Sequence, residues 1–414
     1  MNYKNKLDKL ADDGKDISVG IIGTGFMGGA LASQLVSIKG VNPRVLINRT
    51  VDKAKNILIN NGIPDDMIGF DLNSNKDFLV SDDINLAFTD KVDIVVDATG
   101  HPEQGARIAS LALEKEKDLI SFNIEADSAI GVHLAREAKI KGLIYSGISG
   151  DEPGAIKELY DFASLLGFEV LAVGKGKNNP LNKFIAPADV KNLSDGLMAD
   201  KYVSFVDGTN TMIELCAVGN AIGFTPDVTG CHGVTSSIED LPSILSLKSE
   251  GGVLNSYGAL EYVFGIAPGV FALVRSDNKE VDHQMKFLKM GKGPNYALYR
   301  PFHLTGVEAL VSICRAYFHR EETIAPVEQT NEVAAIAKKD MAKGECFDTI
   351  GGSTFFGTLE KKEDFDKADH IPVALINEKA FAKEDIKKGE YLTSANTEID
   401  TSSEIYKIKN EEVK

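Results

Sequence analysis

The chain has 414 residues, 43% of them hydrophobic, and a formal net charge of −16 from 61 acidic and 45 basic side chains. That length implies two or three domains with ample apolar material for their cores. The charge excludes polyanionic partners, so neither nucleic-acid binding nor docking on an anionic membrane is expected. No run of 18 apolar residues occurs and residues 1–15 are polar, which predicts no membrane span, no signal peptide and a cytoplasmic location. The four cysteines (Cys216, Cys231, Cys314, Cys346) are scattered without a C-x-x-C and read as reduced thiols.

The first strong signal is Ser18-Val19-Gly20-Ile21-Ile22 running into Gly23-Thr24-Gly25-Phe26-Met27-Gly28, followed by a helical pattern in Ala30, Leu31, Leu35 and Val36. This is the strand–turn–helix context a dinucleotide fingerprint requires. Gly23 permits the tight turn, Gly25 lets the backbone approach a pyrophosphate, Gly28 lets the helix pack on the strand, and Phe26 and Met27 open the helix beside the phosphates. The second strand, Arg44–Ile47, leads into Asn48-Arg49-Thr50. An NAD site usually carries an acid there for the ribose 2′-hydroxyl; a neutral Asn, a cationic Arg and a Thr suit a 2′-phosphate, which favours NADP(H).

Further strands are expected at Val92–Asp97, Asp118–Asn123 and Gly142–Ser146, with helices between them, giving an α/β, doubly wound Rossmann sheet over residues 1–150. Ligands in such sheets lie beyond the carboxyl ends of the strands. This places Thr99 and Gly100 near the nicotinamide or its ribose. Residues 151–330 read as an α+β catalytic and dimerisation domain. Its expected elements are a helix over Pro153–Leu166, a strand over Phe168–Val173, a Gly-rich loop over Gly174–Pro180, and a long helix over Arg300–His319 that returns to the nucleotide domain. Residues 331–400 carry a repeat in which Ala337–Glu345 and Ala382–Glu390 agree at six of nine positions, read as a small pseudo-symmetric β module. Residues 401–414 read as a flexible charged tail.

Lysine near a nicotinamide can exchange a proton with a substrate oxygen, so Lys175 and Lys177 are candidate catalytic groups, with Glu125 and Asp207 as candidate catalytic acids. Asn178 and Asn179 could bind sugar hydroxyls, and Lys292, Arg300 and His303 a phosphate or carboxylate. The acids Glu125, Asp127 and Glu152 could hold Mg²⁺ or Mn²⁺, which would polarise a hydroxyketone; Asp151 and Glu152 would equally serve as first-turn acids of the following helix. Glu214 reads either as a core acid paired with a lysine or as a catalytic acid.

In this order, Gly23–Gly28, Asn123-Ile124-Glu125-Ala126-Asp127, Gly150-Asp151-Glu152-Pro153-Gly154, Gly174–Asn179, Phe205–Thr209 and the paired D-x-x-K-G-E turns resemble the homoserine-dehydrogenase-like oxidoreductases with a C-terminal SAF domain. Some of these are similar to 1-deoxy-D-xylulose 5-phosphate reductoisomerase. The resemblance implies a Rossmann domain, an NADP(H)-linked reaction and a SAF β-clip. It further implies reductoisomerase chemistry on a small phosphorylated polyol, converting 1-deoxy-D-xylulose 5-phosphate to 2-C-methyl-D-erythritol 4-phosphate, in a homodimer or tetramer. Two departures stand out. Homoserine dehydrogenases place a lysine after the Asn matching Asn123, where this chain has Ile124. Relatives with the SAF domain often have lysine where this chain has Asn210, which would pass that role to Lys175 or Lys177. Homoserine dehydrogenase, a sugar-acid dehydrogenase or oxidoisomerase, and a non-catalytic nucleotide or carbohydrate sensor remain the alternatives.

Overall fold

The computed structural model describes residues 2–191, 193 and 198–411. It divides into two compact units, one of residues up to Ala126 with 133–151 and 304–325, the other of residues 127–132, 152–303 and 326 onward.

The first unit contains α1 (Tyr3–Asp12), β1 (Ile17–Ile22), α2 (Phe26–Val36), β2 (Val41–Ile47), α3 (Val51–Asn60), β3 (Ile68–Gly69), β4 (Phe78–Ser81), β5 (Ile94–Asp97), α4 (Pro102–Glu114), β6 (Asp118–Ser121), α5 (Ile124–Ile140) apart from its residues 127–132, and β7 (Tyr145–Gly147). The seven strands form one parallel sheet in the order β3-β4-β2-β1-β5-β6-β7. Strand order reverses at β1, which pairs with β2 on one side and β5 on the other, so the glycine turn leaves the sheet at its switch point. The strands read as near-continuous apolar runs because helices cover both faces; Ile17, Val19, Ile21, Leu46, Ile94, Val96 and Ile120 are all buried in one core. The helix Thr305–His319 packs on α2 and adds Ala309, Ile313 and Ala316 to that core. It starts later than expected, because residues 295–300 are claimed by a strand and Pro301 follows it.

The second unit contains α6 (Glu152–Leu165), β8 (Glu169–Lys177), α7 (Ala199–Asp207), α8 (Thr209–Ile222), β9 (Thr225–Pro226), β10 (Val234–Thr235), β11 (Ala259–Phe264), β12 (Val270–Arg275) and β13 (Asn295–Arg300). Its mixed sheet runs β10-β11-β8-β12-β13, with β9 also on β11; β8 and β11 are parallel, and β12 is antiparallel to both of its neighbours. Helix α6 lies against β8 and β12 and touches α8. A core of Leu171, Leu241, Leu245, Leu254, Val263, Phe271 and Leu273 joins the sheet to the 241–254 segment.

The expected Gly-rich loop at 174–177 is a strand. Gly-Lys-Gly-Lys is a period-two pattern that sends both lysines to one face and both glycines to the other. The glycines are there for close approach: a Cβ at Gly174 would strike the Glu261 carbonyl oxygen, and one at Gly176 would strike Ala267.

The C-terminal residues join the second unit instead of forming a third domain. Asn331–Ala337 pairs antiparallel with Phe355–Lys361, and Phe381–Ala382 with Thr397–Glu398. The repeated turns clasp each other. Met341 and Ile386 exchange backbone hydrogen bonds, N to O 2.8 and 2.9 Å. Asp340 accepts from Lys388 N and Asp385 from Lys343 N, both at 2.9 Å. Within each turn the glutamate accepts from a backbone N–H three residues earlier, Glu345 from Ala342 and Glu390 from Lys387. The tail is also ordered up to residue 411: Glu404–Glu411 is a helix, not a frayed end. Its Ile405 and Ile408 are buried, and Lys409 Nζ donates to Ala129 O and pairs with Glu332 at 2.9 Å.

Candidate functional site

The turn between β1 and α2 is built by its glycines. Gly23 has φ +93°, and a Cβ there would lie 2.7 Å from Ala98 O. At Gly28 a Cβ would strike the Gly23 carbonyl oxygen, so only glycine lets α2 sit this close to the strand end. Gly25 differs, since a Cβ would meet nothing within 4 Å; its Cα faces open space. Gly25 is also the N-cap of α2 and supplies no side-chain cap, leaving the first-turn N–H groups free to hold phosphate. Phe26 and Met27 stand exposed beside that turn.

Asn48, expected at the 2′-phosphate, has its side chain engaged: it donates to Thr24 Oγ1 and accepts from Thr50 N at 2.9 Å, tying the end of β2 to the glycine turn. Its role is to fasten the loop. Arg49 and Thr50 are exposed at the start of α3.

At the end of β5, Asp97 is 1% exposed; its Oδ1 accepts from Thr99 N at 2.9 Å and Thr99 Oγ1 at 2.7 Å. Burial raises the Asp97 carboxyl to about 6 against those hydrogen bonds, and the Glu125 charge adds to the rise. Asn123 caps α5 through Ala126 N and donates to Thr99 Oγ1 (3.3 Å) and His101 O (2.9 Å), so the 97–101 loop is held by polar contacts from below. Thr99 and Gly100 therefore stand at the carboxyl end of β5, as expected.

Glu125 and Asp127 do not form a metal cleft. They lie in the first turn of α5, and residues two apart on a helix do not face each other. Asp127 is turned toward Gly131 and adds to the raised pKa of the buried Cys216 thiol. The acids fell in helix because Asn123 caps a continuous helical run.

The chemistry of the second unit centres on Lys175. In register across the sheet, Tyr262, Lys175, Val270 and Arg300 form one row on β11, β8, β12 and β13, and Lys177 shares that face two residues on. The Lys175 ammonium lies between two carboxylates, Glu152 at the start of α6 (2.6 Å) and Glu214 on α8. Asn210 Nδ2 donates to the other Glu214 oxygen at 2.5 Å, Lys201 donates to Asn210 Oδ1 at 3.3 Å, and His303 Nε2 is 3.4 Å from Glu152. Burial would raise Glu152, but Lys175 and His303 overcome it and hold the carboxyl low. Glu214 goes the other way, pushed up to about 7 by burial and by the Glu152 charge. Burial disfavours the Lys175 charge, yet the two glutamates outweigh it and raise its pKa. Lys177 donates to Phe205 O at 2.6 Å; burial and the neighbouring Lys175 charge lower it to about 8.

The other expected residues are dispersed. Arg300 is paired with Glu158 at 3.3 Å and stacked over Phe302, on the lysine row. Lys292 is exposed before the start of β13, at the opposite end of that strand from Arg300. Asn178 is exposed and Asn179 half-buried just past β8. Asp207 is not positioned as a catalytic acid: it forms a fully buried pair with Lys338 at 2.7 Å and accepts from Thr209 N, fixing the α7–α8 junction to the C-terminal strands. Replacing Lys338 by Met strands that carboxylate and is expected to cost about 3–5 kcal/mol, read as a lowered denaturation midpoint, whereas Lys339→Met on the surface should be neutral within about 0.5 kcal/mol. Sequence reasoning missed Asn210 and Lys201 as parts of the lysine cluster. The Asn210–Glu214 spacing of four, which stacks them on one helix face, was the available signal.

Residues 150–309 match the family model described as the catalytic domain of the oxidoreductase DRL. With the dinucleotide fold of the first unit, this makes the chain an NAD(P)-dependent oxidoreductase. The matched segment spans α6, the lysine row and His303. No curated protein matches the chain. Solved structures similar to it include a probable dehydrogenase from Thermotoga maritima (13% identity, TM-score 0.43, covering 76% of this chain and 92% of that one). Another is GenD2 of gentamicin A biosynthesis in complex with NAD (14%, 0.39, 76% and 90%). A third is KijD10, a 3-ketoreductase from Actinomadura kijaniata in complex with TDP-benzene and NADP (13%, 0.38, 74% and 91%). Among the described residues no helix is long and apolar enough to cross a membrane.

Proposed function

We propose that this protein is an NADP(H)-linked dehydrogenase or reductase of a small polyhydroxylated substrate. The observation that carries the reading is the buried lysine row in the segment matched to an oxidoreductase catalytic domain. Lys175 is a fixed positive charge that stabilises a developing alkoxide, and a second amine, Lys177, lies on the same face. The bound nicotinamide supplies or accepts the hydride. Gly25 and the open N-terminus of α2 would hold its diphosphate, and Arg49 its 2′-phosphate.

Arg49→Glu is expected to weaken NADPH by about 10–100-fold, the worth of a charge-assisted phosphate contact of roughly 1.5–3 kcal/mol, while NADH binding changes little. Fluorescence titration with both cofactors checks this; equal losses for both would remove Arg49 from the 2′-phosphate.

Reductoisomerase chemistry on 1-deoxy-D-xylulose 5-phosphate is the finer reading, favoured by the basic side chains Arg300 and Lys177 on the face of the row, which suit a phosphorylated substrate. A divalent ion held by Glu152 would have to displace the Lys175 ammonium that Glu152 now pairs with. The test is loss of NADPH absorbance with 1-deoxy-D-xylulose 5-phosphate, with sugar ketones and with keto acids, each with Mg²⁺, with Mn²⁺ and with chelator. Metal-stimulated turnover of the first supports the reductoisomerase. Metal-indifferent reduction of a sugar ketone supports a simple reductase, and no NADPH binding at all overturns both.

A further inference from the structure

The two lysines of β8 have the same burial, 6% exposed each, and lie on the same face, but their partners differ in kind. Lys175 Nζ meets carboxylates on both sides, Glu152 Oε1 and Glu214 Oε2. An ammonium bonded to two carboxylates loses its proton only by leaving two buried anions without a cation. Lys177 Nζ meets a neutral acceptor, the Phe205 carbonyl, which an amine can leave or keep in either protonation state. Around it lie Lys175 on its own strand, Glu214 on α8 and Asp207 at the end of α7; Asp207 is already neutralised by Lys338.

We propose that the two lysines divide the work, Lys177 being the catalytic residue that carries the substrate proton and Lys175 a permanently charged group that positions and polarises. The inference rests on the oxidoreductase reading above. In the reductive direction hydride adds to the carbonyl carbon of the substrate, the C=O π pair moves to oxygen, and that oxygen takes a proton from the Lys177 ammonium, leaving a neutral amine. In the oxidative direction the neutral Lys177 amine takes the hydroxyl proton as hydride leaves the carbon for NADP⁺. A general acid–base works best with a pKa near the working pH, and the Lys177 value of about 8 meets that condition where Lys175 does not. Glu214, bonded to Lys175 and held by Asn210, is a positioning residue in this scheme.

The test first asks about protonation without needing turnover. Trace acetic anhydride is applied to the native protein between about pH 6 and 10, and the acetylated fraction of each lysine is read by peptide mass spectrometry. The pH dependence of each lysine's labelling, its accessibility being constant across the series, reports the neutral amine. Lys177 is expected to react about tenfold or more faster than Lys175 at neutral pH, with its half-point near 8, and Lys175 to stay unreactive across the range. Equal reaction of the two, or a Lys177 half-point at the ordinary lysine value, overturns the division. With the substrate identified by the cofactor-oxidation screen, Lys177→Gln should remove the upper-pH limb of kcat while NADPH binding holds, and Lys175→Arg should keep that limb at reduced kcat. A limb that survives Lys177→Gln overturns the assignment. Failure of every substrate alongside the expected labelling pattern would instead count against the oxidoreductase reading, so the two failures are distinguishable.

Discussion

Lys175→Met is expected to unfold more easily than the native chain by about 3–5 kcal/mol and to lose turnover by about a hundredfold or more. The substitution takes away one cation and leaves two buried carboxylates, Glu152 and Glu214, facing each other. Methionine fills the space of the lysine stem, so packing changes little and the cost is electrostatic. The deficit should depend on pH in a definite direction. In the native protein Glu152 is held below its ordinary value of 4.5, so it contributes stability above that pH, and the contribution disappears only on descent toward about 2. Glu214 is raised, so it favours the fold below 4.5 and subtracts as pH rises through about 7. Without Lys175 both acids would be raised. The loss relative to the native chain should therefore be largest at neutral pH and shrink as pH falls through the carboxylate range. Urea midpoints at several pH values check this; a deficit that does not change with pH would mean that lost packing, not stranded charge, sets the cost.

The second large effect separates two glycines of one motif. Gly28→Ala drives a methyl group into the Gly23 carbonyl and against Ala98, about 3.0 Å away. The backbone cannot give way as a flexible side chain would. Overpacking of this kind costs about 1–3 kcal/mol, so the melting temperature should fall, and NADPH binding should weaken by roughly 10–100-fold as α2 is pushed from the strand. Gly25→Ala adds its methyl group to open space, so the fold should keep its melting temperature. That same space is where the diphosphate approaches, so NADPH binding should fall by a comparable factor. Calorimetry paired with cofactor titration distinguishes them. If Gly25→Ala binds NADPH normally, the diphosphate does not run along this turn.

What could be read from the sequence follows from where each constraint lies. The glycine turn was legible because its requirements are local: a positive φ at Gly23, a close approach at Gly28 and a free helix terminus are all written within six residues. The lysines were legible as chemistry and misread as structure. Gly-Lys-Gly-Lys looks like a flexible loop by composition, and only its period of two betrays a strand whose glycines accept a crossing backbone. Glu125 and Asp127 were misplaced by a boundary. An Asn cap turns an expected strand tip into a helix first turn and sends the two carboxylates apart. The partners that define each charge were not legible at all. Glu214 reaches Lys175 from α8, and Lys338 reaches Asp207 from the C-terminal strands, and no local pattern announces either meeting.

The reciprocal clasp of the two D-x-x-K-G-E turns has a consequence for how this part of the chain can change. Each copy supplies the aspartate that satisfies a backbone donor of the other, so the pair behaves like a homodimer whose protomers share one polypeptide. Deleting either copy strips the survivor of its cap as well as its strand partner, and a fragment bearing one copy should seek a second from another chain. The connecting stretch is held separately, because its strand Phe355–Lys361 pairs with Asn331–Ala337 and buries Phe355, Phe356 and Leu359. Closing a loop costs only about 0.6 kcal/mol more for each doubling of its length, so an insertion at an exposed turn of that stretch, such as Glu378-Lys379, comes at small expense while the two turns themselves tolerate neither loss nor independent drift.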